Sequence, residues 1–172
     1  QEMQLDVLVP EARILLPLML DKLNSNGDEE LTAAKRLLST WDMKATVNAP
    51  AMSVFVLWVR ALKDTLFEEE IRLLEDVPFS ANTFRPPIDG LYRALTNKVN
   101  VQADIDDTLR TSLKVTLKKL TNDLGKAKSS FSNWAWGKYH QLTIASLAGN
   151  SRWDIGPFPL GGATRTVAKA TE

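Results

Sequence analysis

The sequence predicts a mainly α fold with one short β-strand near the C-terminus. Apolar residues recur at spacings of three and four over several long segments, which is the pattern of helices with one buried face. Clusters of Gly, Pro and Asn separate these segments and predict turns. Residues Thr164 to Ala168 alternate in a way that is typical of a strand, and they form the predicted strand.

The composition indicates one globular domain, and we expect residues 1–172 to form it. A hydrophobic content of 44% is enough to form one core. A length of 172 residues is too short for us to expect two domains. Lys plus Arg and Asp plus Glu both number 21, so no net charge attracts nucleic acid or an anionic membrane. We therefore expect no nucleic-acid partner. No apolar run is long enough for a membrane span, and the lack of cysteine excludes disulfides and thiolate chemistry within the chain.

The first predicted helix runs from Leu8 to Leu23. Its apolar face consists of Leu8, Ala12, Leu15, Leu16, Met19, Leu20 and Leu23. Pro10 suits the first turn, where its missing N–H has no helical acceptor. Pro17 removes an interior hydrogen bond, so we expect a kink or a break there.

The second predicted helix follows the turn Asn24–Gly27. Asp28 has the side chain of an N-cap, and the two glutamates after it place negative charge where the helix dipole favours it. The buried side is predicted to consist of Leu31, Ala34, Leu38 and Trp41. Trp41 is therefore a predicted core residue of this helix.

Three more helices are predicted in the middle of the chain. Pro50 opens one that continues to Leu74 and turns inward Phe55, Val56, Val59, Leu62, Leu66 and Phe67. Prolines and glycine predict a long loop from Asp76 to Gly90, followed by a short helix from Leu91 to Leu95. The most regular helix has a face of Leu109, Ser112, Leu113, Thr116, Leu117, Leu120 and Leu124. Gly125 is its predicted stop.

The C-terminal part is predicted to contain one or two helical turns and then a loop. Ser132 or Asn133 is the expected cap of a segment that contains Trp134 to His140. Beyond Gly149 we expect loop as far as the strand at Thr164. A single strand cannot satisfy its own backbone hydrogen bonds, so this strand requires a partner from outside the chain.

Signatures of catalysis by a serine nucleophile do not occur in the sequence. There is no Gly-x-Ser-x-Gly motif, and no serine stands three places before a lysine. His140 is the only histidine, and we expect its hydrogen bonds to hold the aromatic turn around Trp136. The tryptophans are interpreted in the same way, since packing accounts for them without a ligand pocket. Trp41 and Trp58 are predicted in the core, and Trp134, Trp136 and Trp153 are predicted to seal helices against loops.

The spacing of the acidic residues does not match a metal-binding motif. The segment Asn24–Asp28 has the composition of a calcium loop, but Lys22 and Ala33 would then occupy its first and last ligand positions. We interpret it as a turn that ends in the cap Asp28. Glu68–Glu70 is interpreted as a solvated helix face, and the aspartates 104, 106 and 107 as a helix N-terminus. We therefore predict no catalytic, cofactor-binding or metal-binding residue in this chain.

Four segments in this order resemble one known family. They are Met3–Asp6, Leu38–Asp42, the stretch Trp134–His140, and Gly156–Gly162 with the residues that follow it as far as Val167. Together they resemble the penicillin acylase (penicillin amidase) family of N-terminal-nucleophile hydrolases, over nearly the whole chain. We call these four segments the anchors.

The resemblance implies an αββα enzyme in which this chain is a helical part of the β subunit. Such enzymes hydrolyse a linear amide of an N-acyl compound with a β-chain serine or cysteine whose own α-amine is the base. The resemblance places that nucleophile, an oxyanion asparagine and any calcium ligands upstream of Met3. It also implies the α chain and the rest of the β chain as partners, and a periplasmic or extracellular location.

Gln1 is no nucleophile, and a segment that follows in the family is missing after Glu172, so we expect an internal piece that is inactive alone. The alternative from another class is a non-catalytic helical interaction domain.

Overall fold

The computed structural model describes residues 6–68, 88–99, 103–128, 131–147, 149–163 and 166–167. The protein is mainly helical, as the sequence predicts, and it has a short two-stranded antiparallel sheet near the C-terminus. The helices are α1 (Pro10–Lys22), α2 (Glu29–Ser39), α3 (Pro50–Leu66), α4 (Ile88–Leu95), α5 (Ile105–Leu124) and α6 (Trp136–Tyr139). The strands are β1 (Gln141–Ile144) and β2 (Ile155–Pro159), and short 3-10 turns lie at Ser132–Trp134 and Ser151–Trp153.

Helix α1 begins at Pro10, two residues later than predicted, because Leu8 pairs with Lys44 in an isolated β-bridge. The helix runs through Pro17 without a break. The buried residues of this helix are Ala12, Leu15, Leu16 and Met19. Pro17 lies on the exposed side, so the Arg13 carbonyl that loses its N–H donor is not enclosed in the core. The predicted break at Pro17 is therefore wrong, because the lost hydrogen bond lies where water can replace it.

Helix α2 begins as predicted and ends earlier than predicted. The Asp28 side chain accepts a hydrogen bond from the Leu31 N–H at 3.1 Å, which confirms the cap. The helix stops at Ser39, and the Thr40 hydroxyl donates to the Arg36 carbonyl at 3.1 Å. Trp41 lies beyond the helix and is only half-buried. The prediction that Trp41 extends the buried helix face is wrong, because hydroxyl groups satisfy the last turn before the chain reaches it.

Helix α3 carries the largest buried side chain of the helical core. Trp58 is fully buried, and its indole N–H lies 3.1 Å from both the Leu109 carbonyl oxygen and the Ser112 hydroxyl. This confirms Trp58 as a core residue. Helix α3 ends at Leu66, so the predicted continuation is wrong at Phe67. Residues 69–74 of the predicted continuation, with Glu69 and Glu70, lie outside the described residues.

The loop predicted from Asp76 to Gly90 ends too late, because helix α4 already begins at Ile88. Asp89 lies in its first turn and pairs with Arg93 at 2.7 Å, one helical turn further on. Gly90 is therefore helical. Residues 76–87 of the predicted loop lie outside the described residues.

Helix α5 has the buried face that its sequence predicts. The fully buried positions are Leu109, Ser112, Leu113, Thr116, Leu117 and Leu120, and Leu124 is half-buried. At the start, the Asp104 side chain accepts from the N–H groups of Asp106 and Asp107 at 2.9 and 3.2 Å. Gly125 follows the last residue with φ +80°, a left-handed conformation that glycine adopts without strain.

The C-terminal region differs most from the prediction. Strands β1 and β2 form a hairpin, in which Gln141 lies opposite Pro159 and Leu142 opposite Phe158. Strand β2 lies where loop was expected, and β1 was not predicted. Of the strand predicted at 164–168, only Thr166 and Val167 are described, and they lie in a bend. The Thr166 hydroxyl accepts from the Ala163 N–H at 2.9 Å, so a local turn replaces the strand there. The strand prediction is wrong for these two residues.

Backbone proximity divides the chain into two compact units. The first unit consists of Gln1–Pro10, Trp41–Val54 and Leu120–Glu172. The second unit consists of Glu11–Thr40 and Phe55–Lys119. The single domain predicted for residues 1–172 stays a prediction.

Candidate functional site

Two of the anchors, Trp134–His140 and Gly156–Gly162, meet residues 45–47 in the first unit. The Gly137 N–H donates to the Val47 carbonyl at 2.7 Å, and the Gly162 N–H donates to the Ala45 carbonyl at 2.7 Å. The Trp136 indole N–H donates to the Gly162 carbonyl at 2.8 Å. We call this group the anchor cluster: residues 45–47, Trp134–His140 and Gly156–Gly162. Its hydrogen bonds join three segments that are far apart in the sequence.

Gly137 allows two of these segments to touch. A Cβ atom at this position would lie 2.5 Å from the Val47 Cγ1 and 2.8 Å from the Pro159 Cβ, distances that side chains do not tolerate. Gly161 is also close to its neighbour, with an added Cβ 3.1 Å from the Ala45 carbonyl oxygen. Both glycines are therefore used for close approach of the backbone.

His140 is part of the packing of the cluster. It is 6% exposed, and its ring stacks on that of Trp136 with centroids 4.8 Å apart and an interplanar angle of 22°. The Nδ1 atom lies 3.3 Å from the Leu160 carbonyl oxygen. A carbonyl oxygen only accepts, so this contact requires the proton on Nδ1. The predicted structural role of His140 is confirmed.

Asn133 has a role that the sequence did not predict. Its side-chain amide donates to the carbonyls of Leu124, Gly125 and Lys126 at 3.1, 3.1 and 2.9 Å. Its side-chain oxygen accepts from the Lys128 N–H at 3.0 Å. Asn133 thus closes the C-terminal end of α5, where carbonyl groups lack helical partners.

The predicted helix cap at Ser132 or Asn133 is wrong. Phe131 precedes the 3-10 turn with φ +54°, and no side chain caps it. Next to it, the Trp134 indole N–H donates to the Gly125 carbonyl at 2.9 Å. The only sequence signal for this closure is the short distance between the helix stop at Gly125 and the polar pair at 132 and 133.

The N-terminal anchor is described only at Asp6, whose side chain accepts from the Leu8 N–H at 2.8 Å. The next residues pair antiparallel with residues 43–45. The Val9 N–H donates to the Met43 carbonyl at 2.9 Å, and the Ala45 N–H donates to the Val7 carbonyl at 2.8 Å. This pairing connects the N-terminal anchor to residues 43–45, which adjoin residues 45–47 of the anchor cluster.

The tryptophans follow their predictions except at two positions. Trp134 and Trp136 are buried and donate to backbone carbonyls, which confirms that they seal a helical turn against a loop. Trp153 is 68% exposed, so its predicted sealing role is wrong. Trp41 is half-buried, with its indole N–H donating to the Lys44 carbonyl at 3.0 Å.

The segment Asn24–Asp28 is a turn and a cap, as interpreted from the sequence. Lys114 contacts the Asp28 carboxylate at 2.9 Å and Arg110 lies 3.7 Å from it. The Lys114 hydrogen bond, followed by that from the Leu31 N–H, lowers the pKa of Asp28 below its usual 3.8. The carboxylate oxygens of Asp28 thus contact the N-terminus of α2 and the side chains of Lys114 and Arg110.

Within the described ranges, no three His, Asp or Glu side chains are grouped so that they could hold a metal ion. The calcium that the family resemblance allows in the complete enzyme stays a prediction. The predicted lack of catalytic and cofactor-binding residues stays a prediction.

Comparison with known proteins gives the family. A protein-family model described as penicillin amidase matches residues 1–172. The chain belongs to the penicillin amidase family. Among curated proteins no match is found. None of the described helices has both the length and the apolar character needed to cross a membrane.

Proposed function

We propose that this chain is a scaffold part of a penicillin acylase-like amidohydrolase. The complete enzyme would hydrolyse a linear carbon–nitrogen amide bond of an N-acyl compound. Family membership supports the hydrolase class. The observation that carries the scaffold role is the anchor cluster, in which Gly137, Trp136 and Gly162 hold separate segments together. Two of the four segments that resemble the family are thus held against residues 45–47 and against each other by hydrogen bonds.

We propose that the nucleophile lies outside this chain. In the chemistry that the family resemblance implies, an N-terminal serine or cysteine attacks the amide carbonyl, and its own α-amine accepts the proton. An α-amine titrates near roughly 7.7 to 8, so a useful fraction is unprotonated close to neutrality. The leaving amine takes a proton as the carbon–nitrogen bond breaks, and water then releases the acyl group. Backbone amides and an asparagine side chain would stabilise the oxyanion.

The remaining parts of the enzyme complete the proposal. Its partners would be the α chain and the rest of the β chain, with an N-acyl small molecule as substrate. Any calcium would be bound by residues outside this chain, as the family resemblance implies. A periplasmic or extracellular location follows from the family resemblance alone.

The test compares the purified chain with the complete enzyme, using chromogenic phenylacetyl and fatty-acyl anilides. We expect turnover by the complete enzyme only, abolished when its N-terminal nucleophile is replaced by alanine. Turnover by the chain alone that is lost on changing one of its serines would contradict the scaffold role. A complete protein without turnover on any N-acyl amide would favour the alternative, a non-catalytic helical interaction domain.

A further inference from the structure

The turn between α1 and α2 contains the one Asn-Gly pair of the sequence. Asn26 is followed by Gly27, whereas every other asparagine precedes a residue that has a side chain. Asparagine is a thermolabile residue. Its degradation begins when the main-chain nitrogen of the next residue reaches the carbonyl carbon of the asparagine side chain. A side chain on that next residue hinders the approach, and glycine has none.

The groups that would react are accessible and unbonded. Asn26 and Gly27 are both exposed. Neither the side-chain amide of Asn26 nor the N–H of Gly27 has a hydrogen-bond partner among the described residues. A Cβ atom added at Gly27 would meet nothing within 4 Å, so the space around the peptide bond is open. Nothing in the described chain therefore obstructs a reaction between the two residues.

Asn26 alone among the described asparagines combines exposure, an unbonded side chain and a following glycine. The Asn24 side chain accepts from the Asn26 main-chain N–H at 3.0 Å, and that of Asn150 accepts from the Arg152 N–H at 3.1 Å. Asn133 is buried and hydrogen-bonded through its nitrogen and its oxygen. The exposed asparagines 48, 97 and 122 precede alanine, lysine and aspartate.

The turn itself can open at small cost. The Asp28 N–H donates to the Ser25 carbonyl at 3.2 Å, which closes a β-turn with Asn26 and Gly27 in its two central positions. Gly27 has φ +75°, and glycine adopts positive and negative φ with similar ease. Local opening of this turn lets the Asn26–Gly27 peptide rotate, and rotation brings the Gly27 nitrogen to the Asn26 side chain.

We infer that Asn26 is a site of spontaneous deamidation to isoaspartate. The Gly27 nitrogen forms a bond to the side-chain carbonyl carbon of Asn26, and the carbon–nitrogen bond of the side-chain amide breaks. The leaving nitrogen takes the Gly27 amide proton and departs as ammonia, which leaves a succinimide ring. Water then opens the ring. Its addition at the main-chain carbonyl gives isoaspartate, and its addition at the side-chain carbonyl gives aspartate. The reaction does not depend on the proposed function, since it needs only this turn and water.

Isoaspartate changes the main chain next to the cap of α2. The chain then runs through the former side chain and is longer by one carbon atom. Asp28 lies directly after the turn, where its side chain accepts from the Leu31 N–H at 3.1 Å and contacts Lys114 at 2.9 Å. Before the turn, Arg110 donates to the Asn24 carbonyl at 3.0 Å. Because both ends of the turn are held, we expect the longer turn to weaken the cap.

The first experiment follows two asparagines in one tryptic peptide. Cleavage after Lys22 and Lys35 releases a peptide that contains Asn24 and Asn26. The folded protein is kept at mildly alkaline pH and digested at intervals in slightly acidic buffer, which prevents conversion during handling. Mass spectrometry with electron-transfer fragmentation separates isoaspartate from aspartate. We expect Asn26 to convert, mostly to isoaspartate, and Asn24 to stay unchanged. Equal conversion of the two asparagines, or an intact Asn26, would overturn the inference.

The second experiment uses matched variants. Asn26→Gln keeps a neutral side-chain amide, but its longer side chain closes the corresponding ring far more slowly. Asn24→Gln is the control. The chain carries no net charge at pH 7, so one deamidation gives it a charge of −1, which isoelectric focusing detects. We expect the acidic species to be lost in Asn26→Gln and retained in Asn24→Gln. An acidic species that forms equally in Asn26→Gln would refute Asn26 as the site.

The third experiment measures the cap after conversion. Amide hydrogen exchange at Leu31 reports the bond to Asp28, and the Ala34 amide inside α2 is the internal reference. We expect Leu31 to exchange faster, and Tm to be lower, in aged wild-type protein than in Asn26→Gln aged in the same way. Full conversion of Asn26 with unchanged Leu31 exchange would contradict the effect on the cap.

Discussion

Gly137 is the residue on which the close contacts of the anchor cluster depend. We expect Gly137→Ala to lower the free energy of unfolding by about 1 to 3 kcal/mol, the usual cost of inserting a methyl group into filled space. The cause is the 2.5 Å approach of the new Cβ to the Val47 Cγ1. Denaturant unfolding measures this effect.

A double-mutant cycle with Val47→Ala controls for indirect effects at Gly137. Removal of the Val47 methyl groups should relieve part of the cost, so the two changes should not be additive. Relief is incomplete, because the Pro159 Cβ still lies 2.8 Å from the added atom. Strict additivity would show that Val47 is not the obstacle.

Ser53 is buried in α3, and its hydroxyl has no hydrogen-bond partner among the residues that the structure describes. We expect Ser53→Ala to leave the free energy of unfolding unchanged or to raise it, because an unsatisfied buried hydroxyl is removed. Ser112→Ala is the matched control, since that hydroxyl accepts from Trp58 and donates to the Leu109 carbonyl. The control should lose about 1 kcal/mol. A larger loss from Ser53→Ala than from Ser112→Ala in urea unfolding would refute this expectation.

At the scale of elements, Asp28 connects the start of α2 to α5 by charge. Its pKa is lowered in the folded state, so its contribution to stability is present above the unfolded pKa. That contribution is lost as the pH falls through the folded pKa. Asp28→Asn keeps a capping side chain and removes the ionic contacts with Lys114 and Arg110.

We therefore expect Asp28→Asn to lower Tm at neutral pH and to converge on the wild-type Tm in acid. Thermal unfolding across this pH range measures the difference. Lys114→Met should reproduce most of the loss without removing the cap. A difference that persists unchanged in acid would show that the cap, and not the charge, is responsible.

The elements that were predicted correctly are those whose local pattern and packing agree. Helix α5 has an uninterrupted apolar spacing from Leu109 to Leu120, and Gly125 follows its last residue. Its buried face and its C-terminal end can therefore both be predicted from the sequence. The hairpin was missed because Pro157 and Pro159 weaken the strand signal of β2. They are tolerated there because β2 is an edge strand.

At the scale of the molecule, the sequence predicted the helical class and the identity of the anchors. It could not predict that Val47 would be the contact of Gly137, because the fold brings them together from separate halves of the chain. Asn133 was missed for a related reason, since its three acceptors are set by the geometry of a helix end. Local patterns contain no information about such pairings.

The bonds from Gly137 to Val47 and from Gly162 to Ala45 also have a consequence for folding kinetics. Each bond closes a long loop, and closure costs chain entropy. The contacts that offset this cost can form only when both partners have been synthesised. Helices rich in local contacts can form while the chain is still emerging from the ribosome, but the first unit cannot close until Gly162 has emerged. We therefore expect residues 45–47 to lack these two bonds until Gly162 has emerged, although residues 7–9 can already pair with residues 43–45.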